Sequence, residues 1–380
     1  MAVITSSSSQ QLQVHRFPQN NYIDSLRFLP QLSAFHRHII LATFNSDSSS
    51  SSIQILNLIQ KTSDSDSNSN SPEITLQSSL TTPSRISCLK TSQNPNKPLI
   101  AASTFSGHLL VYTADLVNGS LDFVDSVKGF HLGRVAGIDV SENGSEFVSV
   151  GEDGRINLVS FVGGGSSSKR VFDGNGLISY GAVKWASPVE FVSGGLGFGL
   201  QWWDQRRPGG PVSQFKGNWT RGSTSGIVHS IDIHPSRKHT CLACKVVSSF
   251  TSPILLFLKA GGSSGTVFAW DLRWQQQPII LAGVGTSDFS ALSPSESDVW
   301  EVHYDNYTTS SNYRNISESR VLPAMICSED GILAVIEQGE EPVELLAEPC
   351  AINSFDIDRQ NPSDIVCSLE WESIAILTRS

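Results

Sequence analysis

The strongest constraint on this chain is a unit that keeps returning. From Arg134 to Phe161 the sequence reads RVAGIDV, a turn at Ser141-Glu-Asn-Gly144, EFVSV, a corner GEDG, and RINLVSF. These are three short β-rich runs divided by turn residues. The plan returns as GAVKWA, VEFVSGG and GFGLQWWDQR (181–206), then as IVHSIDIHP, SRKHTCLA and GGSSGTVFAWDLR (227–273). Two earlier units begin with NYIDSLRFLP (21–30) and SRISCLK (84–90), and two later ones with VWEVHYD (299–305) and INSFDID (352–358).

Tyr112, Leu158 and Trp203 take matching places in the third strands of successive units, 46 and 45 residues apart. That is the period of a four-stranded propeller blade. One small antiparallel sheet cannot bury both faces, but a ring of sheets can. The predicted fold class is therefore all-β, a seven-bladed WD40-type β-propeller occupying residues 1–380 as a single domain. Trp203-Asp204 and Trp270-Asp271 are the dipeptides of such blades, with each Trp expected between neighbouring sheets.

The corner GEDG holds Asp153 and Gly154, and it recurs as Asp330 and Gly331. A feature that repeats at the same place in a blade reads as a hairpin turn. Gly supplies the positive φ, and Asp accepts from nearby backbone N–H groups. Two carboxylates on one turn, without further oxygen ligands, make a poor cation site.

The last unit has only three strands of its own. The alternating segment Leu12–Phe17 is expected to supply the fourth and so close the ring without exposed edges. Two Ser-rich stretches, 46–52 and 61–71, read as disordered loops. Residues 244–259 look foreign to the fifth blade: Trp203 and Trp270 lie 67 residues apart, and excising the stretch joins HTCLA to AGGSSGTVFAW. The sequence predicts an anomalous apolar insertion there.

Composition excludes several functions. The net charge is -10, with no basic stripe to displace counterions, so direct nucleic-acid binding is not expected. The longest apolar run, Pro253 to Leu258, is far short of the roughly 20 residues a membrane helix needs. The six Cys are spread among strand-like segments, as buried reduced thiols are. His234, His239, Cys241 and Cys244 have a zinc-like order, but strand alternation sends the two Cys to opposite faces. GGLGFG (194–199) lies between two strands and lacks the helix that a phosphate cradle needs. No nucleophile–base pair stands out, so neither catalysis nor a cofactor nor a metal is expected. Arg155, Arg206 and Arg273 follow corners or third strands and are candidate partner contacts. Trp300 and Glu301 head the sixth unit and are read as rim groups of the same kind.

The stretches VGEDGRINL (150–158), PVEFVSGGLGFGLQWWDQR (188–206), GGSSGTVFAWDLR (261–273), VWEVHYD and CSEDGIL (327–333) carry a specific resemblance. In this order, and with the tail from Ile352 to Ser380, they resemble the WD-repeat nucleoporins of the forty-three-kilodalton class, from about residue 84 onward. The resemblance implies a non-enzymatic subunit of the Y-shaped outer-ring complex of the nuclear pore, at the nuclear envelope. It also implies contact with an α-solenoid nucleoporin of the short arm, the chain being a monomer within a hetero-oligomer. Pore assembly, nucleocytoplasmic transport and mRNA export would follow. The alternative rests on WDQR (203–206) and WDLR (270–273), which match the WDxR ending of substrate receptors for cullin-RING ubiquitin ligases.

Overall fold

The computed structural model describes residues 12–32, 37–59, 72–162, 165–196, 198–215, 226–234, 240–247, 266–271, 279–282, 295, 297–308 and 321–380. Within them the chain forms seven four-stranded antiparallel sheets. Blades 1 to 6 cover residues 22–82, 86–127, 135–173, 180–215, 226–282 and 299–347. Blade 7 covers 352–379 and takes its outer strand from the other end of the chain. There Leu12–Pro18 runs antiparallel to Ser373–Arg379, from Leu12 opposite Arg379 to Pro18 opposite Ser373. The expected closure is present.

The first strand of each blade touches the first strands of both neighbouring blades. These inner strands, Tyr22–Phe28, Ile86–Thr91, Val135–Val140, Tyr180–Ser187, Gly226–Ile233, Val299–Tyr304 and Ile352–Ile357, therefore ring a central axis. The apolar core is divided in the same way. Among the described residues seven buried clusters occur, one at each junction between adjacent blades, including the junction of blade 7 with blade 1. Each sheet buries both faces only because a neighbour covers each of them.

Trp203 shows how a junction is filled. It is 2% exposed, stacks on Phe191 with ring centroids 5.9 Å apart, and packs against Val148 and Val150 of blade 3. Its Nε1 donates to Ser193 Oγ at 2.8 Å. Trp270 does the same work between blades 4 and 5. Leu158 is not their equivalent. Val159 faces Phe147 as Trp203 faces Phe191 and Tyr112 faces Ile100. Val159 packs toward blade 2, whereas Leu158 turns to Tyr180 and Trp203 of blade 4. A slip of one residue in a strand reverses the face, and the near-regular spacings of 46 and 45 residues conceal it.

Two further expectations are corrected. Residues 46–52 are an ordered hairpin, not a disordered loop: Asn45 pairs with Ser50, and residues 46–49 form the turn. Asn45 Oδ1 accepts from the N–H of Ser48 at 2.9 Å and from its hydroxyl at 3.0 Å. Side chains that bond their own backbone make a Ser-rich segment turn tightly. Residues 244–247 belong to the blade, since Thr240–Val247 is one strand that pairs with Gly226–Ile233 and with Thr266–Asp271. Cys244 is buried in the cluster between blades 5 and 6. Residues 248–259 and 61–71 lie outside the described residues.

Candidate functional site

The inner strands share one local pattern. In each, pairing with the second strand slips by one residue near the start, at Asp24, Ser87, Ala136, Gly181, His229, Trp300 and Asn353. A bulge bends a strand and re-aims the residues that follow. Alternation then sends the first and third residues after the bulge toward the axis. The third residues are Arg27, Lys90, Asp139, Lys184, Asp232, His303 and Asp356, one from each blade. All seven line a single cavity of about 430 Å³ at the end of the axis where the inner strands finish.

An inner strand is the edge of its sheet, so its axis-side N–H groups lack ladder partners. Three carboxylates supply them. Asp139 accepts from Trp185 N–H at 2.9 Å, Asp232 from Tyr304 N–H at 2.9 Å, and Asp356 from Phe28 N–H at 2.8 Å. Blade 3 is thereby tied to 4, blade 5 to 6, and blade 7 to 1. Lys184 Nζ stands 3.2 Å from Asp232 and 3.9 Å from Asp139. Burial opposes the Asp232 charge, but Lys184, His303 and the Tyr304 N–H outweigh it and hold that carboxyl below its usual range. Lys184 answers in kind: burial works against its charge, yet Asp139 and Asp232 raise it above the usual lysine value.

Glu301 repeats the device one layer along the axis. Its Oε2 accepts from Phe355 N–H at 3.0 Å and from Ser354 Oγ at 3.2 Å. Its Oε1 meets Arg27 Nη2 at 2.6 Å, and Arg27 Nη1 also donates to Ser354 Oγ at 2.8 Å. Burial opposes the Glu301 charge, but Arg27 above all holds the carboxyl well below the ordinary range.

The corner of blade 3 is a second polar cluster. Asp153 accepts from His131 Nδ1 at 2.9 Å, from Leu132 N–H at 2.8 Å and from Arg155 N–H at 3.1 Å. His131, buried, reaches Ser149 Oγ at 2.9 Å through Nε2. Gly154 has φ of 77°, and a Cβ there would meet Ile178 O at 2.5 Å. At the blade 6 corner Asp330 bonds Ser328, and Ser295 Oγ lies 2.8 Å from its Oδ1, while Gly331 has φ of 85°. Ser295 there takes the place of His131. Both clusters clamp a turn to a loop; Ser149, His131 and Asp153 are hydrogen-bonded in series, but Ser149 is 1% and His131 2% exposed, so the hydroxyl is closed to a substrate and the series serves to fix the turn.

A scan against protein-family models gives no match. Comparison with individual proteins decides the family. Nuclear pore complex protein NUP43 of Arabidopsis thaliana is 56% identical over 376 residues, 97% of this chain and 98% of its own length. The chain belongs to the Nup43 nucleoporin family. Family membership carries a place with it, the nuclear pore complex of the nuclear envelope. Human nucleoporin Nup43 is 28% identical over 194 residues, 50% of this chain and 39% of its own length. An uncharacterized WD repeat-containing protein of Schizosaccharomyces pombe is 35% identical over 109 residues, 28% of this chain and 30% of its own.

On this Nup43-family propeller the candidate contacts are scattered. Arg155 lies at the blade 3 corner, 3.2 Å from Asp173 and mostly covered. Arg206 is 65% exposed and folds back on Asp204, Nε to Oδ1 at 2.8 Å. Asp271 pairs opposite Thr240 at the end of its strand, and Arg273 lies outside the described residues. Trp300 and Glu301 are not rim groups. Trp300 is the bulge residue of blade 6, donating Nε1 to Glu329 at 2.9 Å and meeting the His229 ring edge-on. Glu301 points into the axial channel, because the bulge turns it there. The expectation took the start of the unit as the edge of the disc, but each unit starts at the axis. The charged ring was legible in part: SLRF (25–28), CLKT (88–91), GIDV (137–140), AVKW (182–185), SIDI (230–233), EVHY (301–304) and SFDI (354–357) carry a titratable third residue in every unit.

Proposed function

We propose that this nucleoporin is a non-enzymatic scaffold subunit of the Y-shaped outer-ring complex. It would be a monomer within a hetero-oligomer and would hold an α-solenoid nucleoporin of the short arm. Through that contact it would serve pore assembly and nucleocytoplasmic transport, including mRNA export. The observation that supports this reading is likeness to the Arabidopsis pore protein over 97% of the chain. The site chemistry agrees with it. Most charged groups at the axis are committed to joining blades, which suits a rigid disc that presents surfaces to other proteins. Arg206, exposed at the end of a third strand, is a proposed contact on one such surface.

The test is to tag the chain and purify it from nuclei under mild conditions. Outer-ring nucleoporins recovered in near-equal amounts are the expected result. Recovery of a cullin and its adaptor instead, lost in Arg206→Ala and Arg273→Ala, would overturn the scaffold reading.

A further inference from the structure

Strand register aligns the corner of blade 7 with those of blades 3 and 6. Glu370, Trp371 and Glu372 take the places of Glu152, Asp153 and Gly154, and of Glu329, Asp330 and Gly331. Both turn-making residues are exchanged. Trp371 stands where an Asp clamps the other two corners, yet it is 65% exposed and its indole N–H has no hydrogen bond among the described residues. The other described tryptophans are buried or half-buried. Glu372 stands where Gly154 and Gly331 have φ of 77° and 85°, and its own φ is 57°. That region is open to glycine and strained for a residue with a Cβ. The charges are unmatched as well. Glu152 meets Arg134, and Glu329 accepts from Trp300 Nε1. Neither the Glu370 nor the Glu372 carboxylate has an ion pair or a hydrogen bond among the described residues. The turn itself is held: Leu369 pairs with Ser373, and the Gln19 N–H donates to the Glu372 carbonyl at 2.7 Å. Leu369 also stands opposite Ile352, where the inner strand starts, so the tip lies on the face away from the axial cavity. Strain and an exposed indole, accepted at a turn that two other blades build without either, mark a position kept for a contact.

We propose that this corner is a docking point for an arginine side chain of a partner protein, which stacks on the Trp371 indole and pairs with Glu370 and Glu372. That the partner is a nucleoporin rests on the scaffold reading above. The chemistry of the tip selects the occupant. An indole face attracts a cation, and an uncompensated carboxylate one residue to either side supplies the complementary charge. Arginine is favoured over lysine because its planar guanidinium stacks on an aromatic face while its edge still offers N–H groups to carboxylates. Tryptophan is also enriched among the few residues that dominate a protein interface.

The test uses the full chain with isotope-labelled tryptophan indoles. Loss of one signal in Trp371→Phe assigns Trp371. N-acetylarginine amide is expected to move that signal saturably, at concentrations where the uncharged citrulline counterpart leaves it in place. No movement, or equal movement with citrulline, overturns the site. Saturation at lower concentration with N-acetyllysine amide overturns the choice of arginine. Glu370→Gln with Glu372→Gly should weaken the arginine effect by about tenfold, and an unchanged titration overturns the role of the carboxylates. In parallel, Trp371→Asp with Glu372→Gly is purified from nuclei beside the wild type. This double variant rebuilds the blade 3 corner at unchanged net charge, so it should melt no lower than wild type. A lower melting temperature would mean that the two residues serve the fold, and would overturn the inference. The variant is expected to lose co-purifying nucleoporins by about tenfold, with Trp371→Tyr keeping part of them. Equal recovery with the double variant overturns the partner half. If the wild type itself recovers no nucleoporins, the scaffold reading fails, and the arginine titration still decides the docking point.

Discussion

Arg27 and Glu301, 274 residues apart in sequence, meet at 2.6 Å inside the axial channel. The pair joins blade 6 to blade 1, and Glu301 also holds the Phe355 N–H of the blade between them. Removing one partner leaves the other charge buried and uncompensated. Glu301→Gln is expected to cost about 3–5 kcal/mol. The double variant Arg27→Met with Glu301→Leu should recover most of that loss, because no buried charge is left alone. Equilibrium unfolding in urea measures both. A double variant as unstable as the single one would mean that the pair contributes mainly through shape.

Asp139, Asp232 and Asp356 each tie an inner strand to the next blade. Replacing any one by Ala leaves a backbone N–H without its acceptor and should cost about 1–3 kcal/mol. Asp139 and Asp232 share Lys184, so their double variant should depart from additivity. Asp139 and Asp356 share no such group, and their losses should add to within about 0.5 kcal/mol. Additivity in both pairs would show that Lys184 does not couple blades 3 and 5.

Asp153 at the blade 3 corner answers three donors. Asp153→Ala should cost about 1–3 kcal/mol and loosen His131 along with the loop that carries it. Hydrogen exchange at Leu132 and Arg155, whose N–H groups bond Asp153, is the local readout. Both amides should exchange faster in the variant, while the inner strand of blade 3 keeps its protection.

His229 gives the fold a pH dependence of known sign. Burial, with Arg134 nearby, lowers its pKa from 6.5 to about 4. Above pH 6.5 the ring is neutral folded or unfolded and contributes nothing. Between 6.5 and about 4 the unfolded chain holds a proton that the folded chain refuses, so stability falls as pH falls. Below about 4 both states hold it and the loss is complete. The stability gained by His229→Gln relative to wild type should therefore grow as pH drops through that window and then level off. Urea midpoints taken across the window test this, and a constant difference would exclude it.

The sequence by itself determined the fold class, the number of blades and the closure, because each follows from periodicity. Three short runs per unit can bury two faces only in a ring, and the chain's two ends share the last sheet. The corners were legible for the same reason, since a turn needs only its own four residues. The sequence did not determine which way a side chain faces. Leu158 and Val159 differ by one position, and strand register alone sends one to blade 4 and the other to blade 2. Glu301 read as a rim charge until the bulge at Trp300 turned it to the axis. His131 gave no signal at all, because Asp153 and Ser149 reach it across a turn and a strand. The seven axial residues carried a pattern in sequence, but only the closed ring placed Arg27 beside Glu301 and Lys184 between Asp139 and Asp232. Such contacts depend on distances between blades, and those are set by how seven junctions pack, not by any one unit.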